Sequence, residues 1–411
     1  MAVATKLQSR ASRTPRHFKI KREAVANQQA DLLLRVRARE GLSRVELARS
    51  LNLAPSTVGI HVDHLVEEGF LFEGKAAGRD FGRPPTILAL NPQGGRFIGV
   101  DFEARSIMAT AVDFSQRPLK QFHDTIAAAE SVENILRKIE QAIEAVGAHD
   151  DQKLLAIGVG VPGVVDLAKG IALSYKHIKG WENVPVVSRL AQRFGVPVFV
   201  ENAIRTMALA ELWFGQGRGL RNFICLGMRS GLGAGIIIDG QVYRGANNRA
   251  GEIRDWPCAP AERSGTGSGP CKGFTRLEDI ASLQSLRSGL AAFAGRHKDS
   301  PGAPSPEAPV EALLQAALAG DKVVLGFLDR VAEAFGLALN QLNVAFNPEK
   351  IILAGAFTVF GDVFLRRLER SLAAFAPPGG PPVVVNSQLG PFNGALGAAA
   401  LAVHEWKPVP P

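Results

Sequence analysis

The sequence has few cysteines and no long uninterrupted apolar run. Its 411 residues include three cysteines at wide spacing, unlike the even framework of a disulfide-stapled secreted protein. No apolar stretch is as long as a bilayer crossing requires, and the N-terminus shows no hydrophobic signal region. These absences argue against a disulfide scaffold and against a membrane protein, and they predict a protein of the reducing cytoplasm with no membrane partner.

The positive charge is concentrated at the N-terminus. The formal net charge is +8, and residues 1–90 contain fifteen Lys or Arg against nine Asp or Glu, a net of +6. A basic segment favours a polyanionic partner such as nucleic acid. The alternative is a solvated tail, because seven of these positive charges lie within residues 1–22, which are predicted to be disordered.

Residues 23–90 have the pattern of a small DNA-binding domain, one of the two or three domains that 411 residues predict. Helical spacing of apolar residues predicts a helix over 30–40, and the capping box of Ser43 and Glu46 predicts the start of a second. A third helix is predicted from Pro55 to Gly69, ahead of two short β-like runs. Together these elements predict a winged helix-turn-helix.

Candidate DNA-binding side chains lie on the helices and in the hairpin that follows. The face of the third helix opposite its apolar residues carries no Arg or Lys, which argues against strong guanine recognition and leaves an ordinary polar surface as the alternative. In the hairpin, "FGRPP" holds Arg83 in an extended segment that suits a minor groove, but also a plain interdomain linker. The predicted DNA-binding residues are Arg44, Ser56, Thr57, His61, His64, Arg79 and Arg83.

The rest of the chain alternates strands and helices. From residue 97 the order β-β-β-α-β-α-β-α predicts a ribonuclease-H-like, actin-like α/β lobe over 91–200, and a second α/β lobe is predicted over 201–411. The glycine-rich run "GMRSGLGAG" leads into β-branched residues rather than a helix, so no dinucleotide cofactor is predicted.

The segment "PVFVENAIRTMALAELWFG" is predicted to be a strand that runs into a helix. Glu201 and Asn202 fall at the carboxyl end of that strand, where ligands collect in open α/β sheets, so both are expected to face a substrate. The residue that follows them is Ala203.

Six phrases identify a family. In order they are "GRPPTILALNPQGGRFIGVD", "GVGVPGVVD", "GWENVPV", "VENA…ALAE", "GLGAGIIIDGQVYRGANNRAGEI" and "NPEKIILAG". Over residues 25–404 the chain resembles the ROK family of repressors and sugar kinases, and its N-terminal domain makes it similar to the branch of xylose and N-acetylglucosamine repressors. The resemblance implies a two-lobed actin-like domain with a ligand cleft between the lobes.

Two departures from the family pattern concern catalysis. Sugar kinases of the family place an Asp base directly after the Glu-Asn pair, where this chain has Ala203, and a methyl group cannot accept a proton. They also carry a glycine-rich phosphate turn after the first strand, whereas Asp101 is followed here by Phe-Glu-Ala-Arg. The expectation is a domain that binds without catalytic residues, and the alternative is a ROK-type sugar kinase with an added DNA-binding module.

The zinc site that the resemblance implies is incomplete. Asp255 replaces its His, and Gly269 and Arg276 replace two of its three clustered cysteines. Cys271 and the separate Cys258 are too few ligands, so no metal is predicted.

The resemblance also implies a sugar site. Its positions carry over as Gly163, Asn202, Glu252, Asp255 and Glu278. Amide and carboxylate groups suit the hydroxyls of a polyol, although a vestigial pocket is the alternative. The sequence thus predicts a repressor of carbohydrate-related genes that binds a double-stranded operator as a homodimer or homotetramer, with a scaffold for protein partners as a further alternative.

Overall fold

The structure is a computed structural model, and it describes residues 16–39, 41–75, 86–260, 274–282, 285–286 and 310–409. The chain divides into two compact units. One, called here the N-terminal unit, comprises Met1–Gly95, Asp113–Ser115 and His404–Pro411. The other, called here the main unit, comprises Arg96–Val112 and Gln116–Val403.

The N-terminal unit contains three helices and a two-stranded antiparallel sheet. The elements are α1 Arg16–Ala38, α2 Arg44–Leu51, α3 Pro55–Glu67, β1 Leu71–Lys75 and β2 Thr86–Leu90. The predicted capping box is present, with Ser43 N donating to Glu46 Oε2 at 2.9 Å and Glu46 N donating to Ser43 Oγ at 3.3 Å. Asn52 ends α2 in the left-handed conformation, at φ 52°, which allows the tight turn into α3.

Apolar side chains at helical spacing build the core of the N-terminal unit. Leu33, Leu47, Val58, Val62 and Leu65 are almost completely buried. Residues i, i+3 and i+4 share one face of a helix, so the three α3 residues of this set form a single stripe. This stripe fixes which side of α3 is left for solvent.

The first half of the main unit is a five-stranded sheet of order β10-β6-β3-β4-β5, in which β3, β6 and β10 are parallel. Its strands are β3 Arg96–Phe102, β4 Ser106–Asp113, β5 Pro118–Thr125, β6 Leu154–Val161 and β10 Val198–Asn202. The other elements here are β7 Val164–Asp166, β8 Ile171–Ser174, β9 Glu182–Val184, α4 Val132–Ala145 and α5 Val186–Phe194. The predicted order β-β-β-α-β-α-β-α is confirmed, with the short strands β7, β8 and β9 inserted between β6 and α5.

The second half is another five-stranded sheet, of order β13-β12-β11-β16-β17. Its strands are β11 Phe223–Met228, β12 Leu232–Ile238, β13 Gln241–Val242, β16 Lys350–Gly355 and β17 Val384–Asn386. A short ladder joins β14 Pro257–Pro260 to β15 Phe274–Arg276. The helices are α6 Ala203–Phe214, α7 Leu277–Ala281, α8 Val310–Leu318, α9 Lys322–Phe346, α10 Gly361–Ala374 and α11 Asn393–Glu405.

The last helix, α11, differs from its predicted place in the second lobe, because it lies against the first sheet. A Cβ at Gly99 or Gly158 would overlap carbonyl oxygens of α11, so these glycines allow the helix backbone to approach the strands. Among the described helices, none is long and apolar enough to cross a membrane.

Candidate functional site

The junction between β10 and α6 is organised by Asn202. Asn202 Oδ1 accepts the backbone N–H of Ile204 at 2.9 Å and so caps α6, while Nδ2 donates to the carbonyl oxygen of Gly163 at 2.9 Å. The amide therefore joins the helix start to the loop between β6 and β7. Because Nδ2 carries two hydrogens, Asn202 retains one donor for a ligand.

The prediction that Glu201 faces a substrate is wrong. Its side chain is completely buried and accepts Arg205 Nη1 at 2.8 Å and Arg244 Nε at 2.6 Å. Arg205 also donates to the carbonyl oxygen of Asn248. Glu201 thus holds the loop after β13 in place, because a buried carboxylate requires compensation of its charge.

A concave site opens beside this junction, and it is called here the cleft. Four of the five predicted ligand-binding residues line it: Gly163, Asn202, Glu252 and Glu278. Asp255 does not line the cleft but an adjoining cavity, which shares Gly163, Asn202 and Glu252 with it. Four of the predicted ligand-binding residues therefore meet in one concave site, the kind of place where small molecules bind.

Two glycines shape the cleft wall. Gly163 has φ +78° and Gly251 has φ +86°, in the left-handed region that side chains disfavour. A Cβ would overlap the carbonyl oxygen of Ser174 in the first case and that of Ala234 in the second. Glycine is therefore required at both positions, and Gly251 fixes where the following Glu252 enters the cleft.

Opposite charges meet on the cleft wall. Lys176 Nζ lies 2.6 Å from Glu278 Oε2, and Arg254 Nε lies 3.6 Å from Glu252 Oε2. Burial lowers the pKa of His177, which also lines the cleft, and so favours its neutral imidazole. Carboxylates, cations and a neutral imidazole offer acceptors and donors to the hydroxyls of a polyol.

Arg229, a residue outside the predicted site, also lines the cleft. Its Nη1 donates to Asp101 Oδ1 at 2.9 Å, and its Nε lies 3.5 Å from Glu103 Oε2. Ser230 Oγ also donates to Glu103 at 2.9 Å. Glu103 belongs to the segment that replaces the glycine-rich phosphate turn of the kinases. In the sequence, the one hint of a role for Arg229 is its position inside the glycine-rich run "GMRSGLGAG".

Ala203 also lines the cleft, as the first residue of α6, and is 4% exposed. It offers a methyl group where the kinases carry a carboxylate. The side chain cannot remove a proton from a ligand hydroxyl.

The predicted lack of zinc stays a prediction, because Gly269 and Cys271 lie outside the described residues. Cys258 Sγ donates to the carbonyl oxygen of Thr275 at 3.3 Å, and burial raises the pKa of this thiol to about 11. Asp255 Oδ1 accepts from Arg276 Nη1 at 3.2 Å. No cluster of three His, Cys, Asp or Glu suited to a metal occurs within the part of the chain that the structure describes.

Two of the predicted DNA-binding residues of α3 point elsewhere. His61 is buried at 6% exposure, with Nε2 3.0 Å from Gln28 Oε1 of α1, and His64 Nδ1 lies 3.1 Å from Gln29 Nε2. The predicted exposure of His61 is wrong because it follows Val58 by three residues and so shares the buried face. Ser56 is exposed and Thr57 is half-buried.

Arg44 contacts protein groups on two elements. Its Nη1 lies 2.7 Å from Asp63 of α3 and its Nε 2.7 Å from Glu73 of β1. The hydrogen bond with Glu73 and then that with Asp63 raise the pKa of Arg44 above its usual value. Arg79 and Arg83 lie outside the described residues, so their predicted roles stay predictions.

The two mixed sheets and the cleft define a mixed α/β domain of the actin-like sugar kinase fold. The chain belongs to the ROK family, whose profile matches residues 97–405. It is 30% identical over 343 residues to the xylose repressor of Caldicellulosiruptor bescii, covering 80% of this chain and 82% of that protein. It is 29% identical to the DNA-binding transcriptional dual regulator NagC of Escherichia coli, covering 88% of each chain.

Solved structures of both branches share the fold. A ROK family transcriptional regulator, described as a homologue of the E. coli MLC protein, covers 92% of this chain and 97% of its own, with a TM-score of 0.77 at 23% identity. A ROK family glucokinase from Streptomyces griseus, in complex with glucose and AMPPNP, covers 75% of this chain and 99% of its own, with a TM-score of 0.64 at 27% identity.

Proposed function

We propose that the protein is a DNA-binding transcriptional regulator, a repressor of carbohydrate-related genes. The observation that carries the proposal is the extent of the similarity. The xylose repressor and NagC match 80% and 88% of this chain, more than residues 97–405 alone contain. By contrast, 75% of this chain is enough to match 99% of the S. griseus glucokinase. The likeness to regulators therefore extends into the N-terminal unit.

The N-terminal unit acts as a winged helix-turn-helix in this proposal. The turn at Asn52 joins α2 to α3, and the antiparallel pair of β1 and β2 follows directly, which is the order of helix, recognition helix and wing. Ser56 and Thr57 at the start of α3 are placed to meet base edges or phosphates. Arg79 and Arg83 would supply the wing contacts, and Arg44 would position α3 through Asp63.

A symmetric assembly is part of the same proposal. One recognition helix reads a half-site, so a repressor of this type binds a palindromic operator as a homodimer, or as a homotetramer that contains two such dimers. Operator binding also places the protein in the cytoplasm, with the DNA. Sedimentation velocity with and without operator DNA tests this, and a monomer in both conditions contradicts it.

The cleft binds the effector, a sugar or a sugar derivative. Asn202 keeps a free N–H, while Glu252 and Glu278 offer carboxylate oxygens across the cleft. Asp255 contributes from the adjoining cavity, where Arg276 orients it. A site built on such hydrogen bonds discriminates strongly between polyols, because a missing hydroxyl leaves a buried polar group unpaired.

The cleft binds without transferring phosphate. Ala203 cannot act as a base, and Arg229, which lines the cleft, forms an ion cluster with Asp101 and Glu103. The second candidate is a ROK-type sugar kinase with an added DNA-binding module, which the shared fold with a glucokinase favours. Coupled measurement of ATP consumption over a panel of sugars separates the two, since turnover above background supports the kinase.

Selection of duplex DNA from a randomised pool with the full-length protein tests the regulator proposal. We expect enrichment of a palindromic sequence, and we expect one sugar or sugar phosphate of a panel to change the affinity for that sequence at fixed salt. If no sequence binds better than bulk DNA, the protein is not an operator-binding repressor and the scaffold alternative gains support.

A further inference from the structure

The solvent face of α3 is centred on an isoleucine. Ser56, Ile60, Asp63 and Glu67 share this face, because Val58, Val62 and Leu65 occupy the opposite one. Ile60 is 69% exposed, which makes it the most exposed large apolar side chain of the helix. It lies in the second turn, within the N-terminal half of the helix that a winged helix presents to base edges.

Helix propensity does not explain an isoleucine at this exposed position. Solitary apolar residues are common on protein surfaces, but a β-branched residue at an exposed helix position is less favourable than the unbranched polar residues usual there. The neighbouring Gly59 leaves the surface open, since a Cβ there would meet no atom within 4 Å. The Ile60 side chain thus projects from the helix beside open space at Gly59, which leaves room for the edge of a DNA groove.

The side chains that usually identify purines by paired hydrogen bonds are missing from this helix. Within Pro55–Glu67, which the structure describes completely, the sequence has no Arg, Lys, Asn or Gln. Guanine is normally read by the first two and adenine by the last two. Asp63, the nearest carboxylate to Ile60 on the face, is paired with Arg44 at 2.7 Å. Around Ile60 the face therefore offers an apolar contact, while Ser56 is its polar group nearer the helix start.

The apolar group of a base pair in the major groove is the C5-methyl of thymine. We propose that Ile60 contacts this methyl group in each half-site and makes thymine the required base there. The proposal rests on the DNA-binding function argued above. It assigns the preference for thymine to Ile60, whereas the proposed contacts of Arg79 and Arg83 belong to the hairpin.

Deoxyuridine provides the test, because it differs from thymidine only by that methyl group. Operator duplexes taken from the selection are resynthesised with single dT-to-dU replacements, and the Kd of the full-length protein is measured by fluorescence anisotropy. We expect one symmetry-related thymine pair at which the replacement weakens wild-type binding by about fourfold per half-site, the value for one buried methyl-sized group. For Ile60→Ala, the dT and dU duplexes should bind equally at that pair.

Val45→Ala is the matched control, because Val45 is 52% exposed but belongs to α2, which in this geometry crosses the phosphate backbone. It should preserve the full dT-to-dU difference. Thermal unfolding of both variants checks that they fold, which the exposure of both residues favours.

If Ile60→Ala weakens dT and dU duplexes by the same factor, or if wild type shows no dU-sensitive position, the thymine contact is disproved while operator binding stands. Failure to select any operator disproves the proposed function itself, and this inference with it.

Discussion

The guanidinium of Arg229 holds both carboxylate oxygens of Asp101, with Nη1 2.9 Å from Oδ1 and Nη2 2.8 Å from Oδ2. Asp101 lies on β3 of the first sheet, and Arg229 directly follows β11 of the second. The pair therefore joins the two sheets of the main unit beside the cleft. Asp101 is 1% exposed, so the interaction is shielded from solvent.

Removal of Arg229 should destabilise the main unit strongly. Arg229→Met leaves Asp101 buried without its cation, and the expected loss is about 3–5 kcal/mol of unfolding free energy. Urea denaturation measures it. Arg221→Met is the control, because Arg221 pairs with Asp239 at 2.8 Å with both side chains largely exposed, and should cost at most about 1 kcal/mol.

The loss of unfolding free energy in Arg229→Met should also depend on pH. Burial raises the pKa of Asp101 above 3.8, an effect that Arg229 opposes in the wild type. Without Arg229 the folded-state pKa rises further, so the folded state takes up a proton at a higher pH than the unfolded state does. Stability of the variant then increases as pH falls through that pKa. A deficit that is equal at pH 5 and pH 8 contradicts this account.

Restoring the missing base should not restore a kinase. A positioned base is worth about a hundred- to ten-thousand-fold in rate where the rest of the site is competent. In Ala203→Asp the ion cluster of Asp101, Glu103 and Arg229 remains, so ATP consumption over the sugar panel should stay at background. A glucokinase serves as the positive control, and sugar-dependent turnover by the variant would show that the cluster does not block catalysis.

Local sequence signals predicted most elements of this fold, although α1 begins at Arg16, inside the segment 1–22 predicted to be disordered, and not at residue 30. The box of Ser43 and Glu46 marked the start of α2, and period-two and period-3.6 patterns gave the strands and helices around the cleft. Such signals depend on neighbours along the chain, which the sequence contains directly. The residues of the cleft were found through the resemblance, since their spacing along the chain does not show that they meet.

Contacts between distant segments were the part that sequence patterns missed. Glu201 was expected to face a ligand, yet its charge is compensated by Arg205 and Arg244 inside the protein. His61 could have been placed correctly from its spacing to Val58 and Leu65, although its partner Gln28 could not. The pairing of Arg229 with Asp101 could not be predicted, because an ion pair across 128 residues leaves no periodic signal in the sequence.

Acidification should destabilise the N-terminal unit through His61. Burial, and then the neighbouring His64, lower the pKa of His61 below 6.5. Both states are neutral above pH 6.5, whereas below it the unfolded chain binds a proton that the folded state resists, so stability falls as pH drops through this range. We expect the unfolding temperature to decrease between pH 7.5 and pH 5.5, and to decrease less in His61→Gln. Equal decreases in both proteins would assign the pH dependence to other groups.

The backbone at Gly251 should set effector affinity. Gly251→Ala adds a side chain at φ +86° and overlaps the carbonyl oxygen of Ala234, so the loop that carries Glu252 must move. Gly240→Ala is the matched control, with φ +75° but no atom within 4 Å of the added Cβ. Backbone strain alone should cost each variant about 1–3 kcal/mol. Only Gly251→Ala should also abolish the thermal shift produced by the effector, and equal loss of that shift in both variants would mean that strain rather than displacement of Glu252 governs binding.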